Sequence, residues 1–404
     1  MKQPKERVIA IDYFRGICIL MVLLDHSALF SWPYYYLAGG GVLWTTAAEI
    51  FLLLSGLTLW IVRSDNMSAG FLPAATKIWR RTAITYAIYM TTVFISIGLL
   101  LVINAHGWTN GVLGVLPGKL DFSFLFRLLT LQYSVGWANF LLYYCVFLLI
   151  SPFALYTLKT RYWLVTPITS ILIFLSHASP EVAPSLYGSL MIWQVYFFIG
   201  LTLGKFRVTT LKKFFHLSSG SRRVIATTIA SVSISLLCLS ILYEFNLWPT
   251  FNSLAISGWI PLKISSAYSL LMAHKASVDF WLLNGRYGAL RPASTLLLLG
   301  GGYVLYQRYK TFLLARTGHF INTMGKDSLW IFVAQSVAIP LLALLPLSRN
   351  YVNNLLLTSC LIISMWAVTR RKQYMNKLKL YALELKTSYS EAKYAYLRQY
   401  EDSN

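Results

Sequence analysis

Apolar residues run along this chain in stretches of about twenty, broken by shorter segments where Lys, Arg, Gly and Pro collect. A helix needs about 20 mostly apolar residues to cross a bilayer. Ten stretches fit, beginning near Val8, Val42, Ala83, Ala138, Tyr162, Leu186, Val224, Ala289, Ser328 and Val352. They end near Phe30, Val62, Ile103, Thr157, Ser176, Gly204, Glu244, Gln307, Leu347 and Val368. Trp and Tyr gather at many of these edges, as interfacial anchors do. The pattern predicts an all-α, polytopic membrane protein with about ten transmembrane helices over residues 1–369. Residues 370–404 read differently. Tyr374, Leu378, Tyr381, Leu385, Tyr389, Ala392 and Tyr396 recur every three or four positions, with Lys377, Lys379, Lys386 and Lys393 off that stripe. This predicts an amphipathic helical tail on the inner leaflet or against the protein.

Composition narrows the class. Of the 404 residues, 57% are hydrophobic and 12% charged, about half the roughly 25% of a soluble domain. Disorder is excluded, because low hydrophobicity is its signature. The 35 Lys and Arg against 14 Asp and Glu leave a net charge of +21. With the N-terminus inside, 27 basic residues fall in inner segments and 7 in outer ones, while Arg15 lies within the first stretch. That asymmetry predicts cytoplasmic termini, an even number of crossings and a multi-pass protein of the cell (inner or plasma) membrane. The basic excess then reflects topology and anionic membrane lipids, not nucleic acid. Cys18, Cys145, Cys238 and Cys360 sit in apolar stretches, so no disulfide framework is visible. No histidine has metal-ligand spacing, and neither a nucleophile elbow nor a phosphate loop is present. Two long outer connections, 104–137 and 246–287, are candidates for short re-entrant or interfacial helices.

Ionisable groups within a span are functional candidates by default. Here they concentrate at the start: Asp12, Arg15, Asp25 and His26 in the first stretch and Glu49 in the second. Arg15 and His26 share one helix face, about 16 Å apart along the axis. Asp12, three residues before Arg15, is placed to form a structural ion pair with it. Glu49 is expected near the depth of His26, and Ser55 near that of Arg15. His26 beside Asp25 and Glu49 is a candidate general base, since a neighbouring carboxylate holds the imidazole's tautomer and stabilises its cation. The plainer readings are a packing histidine and a loop-capping glutamate. Lys77, Arg80 and Arg81, in the second inner loop, satisfy topology alone; they also suit the phosphates of a cytoplasmic donor.

The residues also carry a resemblance. Arg7-Val-Ile-Ala-Ile-Asp12-Tyr-Phe-Arg15-Gly16, closing on Asp25-His26, resembles the opening motif of the membrane acyltransferase-3 superfamily, an Arg and a His separated by ten residues. Ala47-Ala48-Glu49-Ile50-Phe51-Leu52-Leu53-Leu54-Ser55-Gly56 is similar to the second-span signature of its OpgC branch, the succinyltransferases of osmoregulated periplasmic glucans. Leu129-Thr130-Leu131-Gln132, Leu141-Leu142-Tyr143-Tyr144, Trp193 to Gly200 and Gly325 to Leu329 resemble that branch more loosely.

The resemblance implies an O-acyltransferase with no permanently bound cofactor. It would take a succinyl or acetyl group from cytoplasmic acyl-CoA and place it on hydroxyls of an extracytoplasmic glycan or glycolipid. His26 maps to the family's histidine and Arg15 to its arginine; Glu49 and the pair Trp193–Gln194 match further motif positions. The expected roles follow. His26, Asp25, Glu49 and Arg15 form the catalytic group. Arg15, Lys77, Arg80, Arg81 and Ser55 hold the donor. Tyr36, Gln132, Trp137, Trp193 and Gln194 face the acceptor. A different class remains open: a proton-coupled transporter or flippase also uses membrane carboxylates and histidine, although the repeats common in such proteins are missing from the sequence. A non-catalytic scaffold would leave the Arg15–His26 stripe without a purpose.

Overall fold

A computed structural model describes residues 8–27, 43–107, 113, 121–135, 138–177, 186–244, 257, 263, 266, 269–270, 273–274, 288–344 and 352–375. Among them all regular structure is helical. The helices are α1 (Ile9–Ser27), α2 (Ala47–Arg63), α3 (Phe71–Ala105), α4 (Phe122–Leu129), α5 (Asn139–Lys159), α6 (Val165–His177), α7 (Leu186–His216) and α8 (Ser219–Glu244). They continue with α9 (Arg291–Leu313), α10 (His319–Lys326), α11 (Ser328–Leu342) and α12 (Val352–Met375). A π-helical turn, Leu314–Gly318, joins α9 to α10.

Every one of the ten apolar stretches coincides with a helix, but they are not equal. Six are long and apolar enough to cross a membrane: Ala47–Met67, Phe71–Ala105, Asn139–Lys159, Leu186–His216, Ser219–Ile241 and Val352–Met375. The others fall short for identifiable reasons. Helix α1 carries Asp12, Arg15 and Asp25, α6 has 13 residues and α11 has 15, and α9 holds Arg291, Gly300 to Gly302 and Gln307. Two helices are longer than the sequence pattern suggested. Helix α3 starts at Phe71, not near Ala83, so Lys77, Arg80 and Arg81 lie on helical turns and not in a loop. Helix α7 runs on to His216, past Gly204. Its 31 residues, like the 35 of α3, exceed the roughly 20 a bilayer requires. The first long outer connection contains a short helix, α4, whose start is capped by Asp121 accepting from the Phe124 amide at 2.8 Å.

Two glycine crossings draw the bundle together. A Cβ on Gly56 would overlap the carbonyl of Phe197, and one on Gly200 would overlap that of Leu53, so α2 and α7 meet backbone to backbone. Gly16 and Gly325 do the same for α1 and α10. Where lipid replaces water, such close approach and its dispersion contacts supply much of the helix association. Large apolar residues stay exposed along the outward sides, among them Phe94, Leu101, Ile150, Phe153, Leu172, Val232 and Ile363. The C-terminal end of α12 is tied by Gln373, whose amide donates to Asp327 (2.7 Å) and to the Thr323 carbonyl (3.1 Å). Helix α12 crosses residue 369 without a break, so the proposed tail begins as its continuation. The rest of the tail stripe lies outside the described residues.

Candidate functional site

The N-terminal turn of α2 is built by its own sequence. Thr46 caps the helix and accepts from the Glu49 amide (3.4 Å), while the Glu49 carboxylate accepts from the Thr46 amide (2.9 Å). This reciprocal box follows from Thr and Glu three residues apart. The carboxylate is buried, and its remaining bonds come from Thr45 just before the helix and from two residues of α9. Arg291 Nε on α9 donates at 2.8 Å, Thr45 Oγ1 at 3.0 Å and Thr295 Oγ1 at 3.2 Å. Ser294 donates to the carbonyl of Trp44, adding a second tie between the start of α9 and the approach to α2. The Tyr196 hydroxyl acts electrostatically on the same pair. All of these hold Glu49 in a closed network, so the carboxylate expected to orient His26 bonds elsewhere. Arg291, counted with the outer-loop cations from sequence, is 3% exposed.

His26 lies in the last turn of α1, half-buried beside Asp25. Two of its contacts come from α11. Gln335 Nε2 stands 3.2 Å from His26 Nδ1, and the Phe332 ring meets the imidazole edge-on at 6.3 Å between centroids. Gln335 is fully buried. From Phe332 a row of aromatic rings leads inward: Phe140 at 4.9 Å, then Phe51 at 5.9 Å. The guanidinium of Arg15 closes that row, 4.9 Å from the Phe51 centroid. The base candidate and the deep cation are therefore joined by an apolar wall drawn from α2, α5 and α11. Trp193 extends the wall, 6.0 Å from Phe140 and 6.2 Å from Tyr143.

The inner end of that wall is strongly cationic. Arg15 is partly buried within the bundle. Its Nε is buried without a hydrogen bond. Asp12, buried in the same helix, acts on Arg15 as an attractive charge, while the planar head of Arg15 lies on Phe51. Arg81 donates to the Tyr144 hydroxyl at 3.0 Å and also acts electrostatically on Arg15. Arg63, at the end of α2, is coupled to Arg81, and its Nε too is buried and unbonded. Ser55 Oγ on α2 is another buried group with no partner. Arg81 repels both Arg15 and Arg63, most strongly where the dielectric is low, and Asp12 offsets this only at Arg15, so the cluster suits an anion. Lys77 and Arg80 are exposed on α3, next to Arg81 in sequence.

The acceptor candidates divide. Gln132 is exposed on the turn after α4, where Leu131 adopts a positive φ of 62°. Gln194 is spent on packing: it accepts from Ser170 Oγ (2.6 Å) and donates to the Ser170 carbonyl (2.7 Å), binding α7 to α6. Tyr36 and Trp137 lie outside the described residues. Four contributors were not singled out by the sequence: Arg291, Gln335, Arg63 and the row Phe332–Phe140–Phe51. Arg291 had a signal, since a buried Glu49 requires a cation. Arg63 and the rings had none, because topology and core packing explain such residues equally well in one dimension.

No curated protein and no solved structure matches the chain. One family model, described as OpgC protein, matches residues 7–377. OpgC proteins are associated with succinyl transfer at membranes. The match takes in both polar networks and every described helix, and the chain belongs to the OpgC family.

Proposed function

We propose that this chain is an acyltransferase-3-type membrane enzyme that moves an acyl group, succinyl or acetyl, from cytoplasmic acyl-CoA to a hydroxyl of an extracytoplasmic glycan or glycolipid. The observation that carries this reading is the aromatic row with an imidazole at one end and unpaired guanidinium nitrogens at the other. Arg15, Arg63 and Arg81, with Lys77 and Arg80 at the entrance, attract the donor's phosphates. An extended pantetheine arm then follows Phe51, Phe140 and Phe332 toward His26, about 16 Å away along α1. The imidazole Nε2 takes the proton of the attacking hydroxyl as its oxygen bonds to the thioester carbon. The carbon–sulfur bond breaks, and the imidazolium returns the proton to the departing thiolate. An ester and free coenzyme A result. Asp25 supports the imidazolium as a neighbouring charge. Glu49 acts at a distance, by fixing α2 to α9. Ten crossings with both termini cytoplasmic place the phosphate end inside and His26 toward the outer face.

Mass spectrometry of envelope glycans tests the reading in cells carrying the wild-type chain, a deletion, or His26→Ala. Loss of the acyl mass in the deletion, and a drop of roughly 10²–10⁴-fold with His26→Ala in protein that still inserts, is the expected result. Persistent acylation in the deletion, with an unexported glycan precursor accumulating inside, would replace transfer by transport.

A further inference from the structure

The group facing His26 Nδ1 is an amide, and the two ends of an amide have opposite consequences for a base. Gln335 sits in the middle of α11, with no accessible surface. Its Nε2 lies 3.2 Å from Nδ1, and its Oε1 is buried without a hydrogen bond. Oxygen and nitrogen of a side-chain amide are nearly isosteric, so a half-turn of the terminal torsion exchanges them. With nitrogen toward the ring, the amide donates to Nδ1, the imidazole proton resides on Nε2, and Nε2 cannot accept another. With oxygen toward the ring, Nδ1–H donates to it and Nε2 offers a lone pair. The second arrangement also persists after Nε2 is protonated, because the imidazolium donates from both nitrogens. In the first arrangement two N–H groups would then face each other.

From this we infer that Gln335 is a positioning residue: its amide oxygen holds the Nδ1–H tautomer of His26 and so makes Nε2 the base. The inference rests on the transferase reading given above. Phe332, one turn earlier on α11, meets the imidazole from the side, and Gln335 from the same helix faces Nδ1, the atom whose proton decides the tautomer.

Three variants of the full chain in lipid nanodiscs test this, with succinyl-CoA as donor and the envelope glycan fraction of deletion cells as acceptor. Gln335→Met keeps the length and removes both polar ends. It lowers kcat roughly 10- to 100-fold with the donor KM unchanged. Gln335→Glu supplies an acceptor only and restores kcat. Gln335→Lys supplies a donor only and stays as poor as Met or worse. Failure of Glu to rescue, or a change confined to KM, overturns the assignment. Nitrogen-15 NMR of labelled histidine, with His26 identified by comparison with His26→Ala, reads the tautomer without turnover. An Nε2–H resonance in the wild-type chain overturns the inference even if transfer is intact. An Nδ1–H resonance in a chain that transfers nothing upholds the tautomer while the transferase reading fails.

Discussion

Helix α2 carries opposite kinds of polar chemistry at its two ends. At its start, Glu49 receives bonds from Arg291, Thr45, Thr46 and Thr295, and no oxygen of the carboxylate is left over. From its middle to its other end, Ser55 and Arg63, with Arg15 close by on α1, present buried atoms with no hydrogen bond from the chain. A buried polar group is normally satisfied, and an unsatisfied one costs about 1–3 kcal/mol. The Glu49 carboxylate is thus satisfied by the chain itself, whereas Ser55 Oγ and the Nε atoms of Arg15 and Arg63 receive no hydrogen bond from it. Both are made of charged residues in apolar surroundings, so residue type alone does not separate structure from function. The state of their hydrogen bonds does.

Substitutions sharpen this contrast. The largest effect is expected from Arg291→Met, which strands the Glu49 charge. Removing one partner of a buried pair typically costs about 3–5 kcal/mol. Thermal unfolding in detergent should show a large loss, and adding Glu49→Gln should recover much of it. Unchanged stability in the single variant would mean that the closed network is not holding α2 to α9.

Arg15→Met should behave in the reverse way. It relieves repulsion within the cationic cluster, so unfolding temperature holds or rises. Donor binding weakens by about 1.5–3 kcal/mol, the worth of a hydrogen bond to a charged group, or roughly ten- to hundredfold in the KM for succinyl-CoA. A strongly destabilised variant would make Arg15 structural and break the comparison. Arg63→Met should repeat the pattern on a smaller scale. Lys77→Ala, fully outside the cluster on exposed turns of α3, should change donor KM only a few-fold, and that change should fade at high salt. Salt titration of the wild-type and variant KM values checks it.

Much of the fold could be read in one dimension. All ten apolar stretches became helices, because an apolar run of this length buries its backbone polar groups most simply as a helix. The helix bounds were less legible. Lys77, Arg80 and Arg81 read as a loop because charge punctuates a hydrophobic pattern, whereas the helix continues through them. The site was half legible. Arg15 and His26 announced themselves as ionisable groups at matched helical phase. Asp12 announced itself equally, and it acts on Arg15 as the sequence spacing suggested, but the ring of Phe51 under the Arg15 head could not be read from the sequence.

The sequence by itself determined which apolar stretches are helical, which residues are charged within them, and which face of α1 they share. Those properties depend on composition and on the 3.6-residue period, which any single helix expresses alone. Only the tertiary structure decided which charges are satisfied. Glu49 and Arg291 are separated by most of the chain, and Gln335 reaches His26 from a helix ten elements away. Arg63 and Arg81 draw close only after α2 and α3 fold against each other. Hydrogen bonds act over about 3 Å, and the order of residues along a chain does not state which helices will come that near.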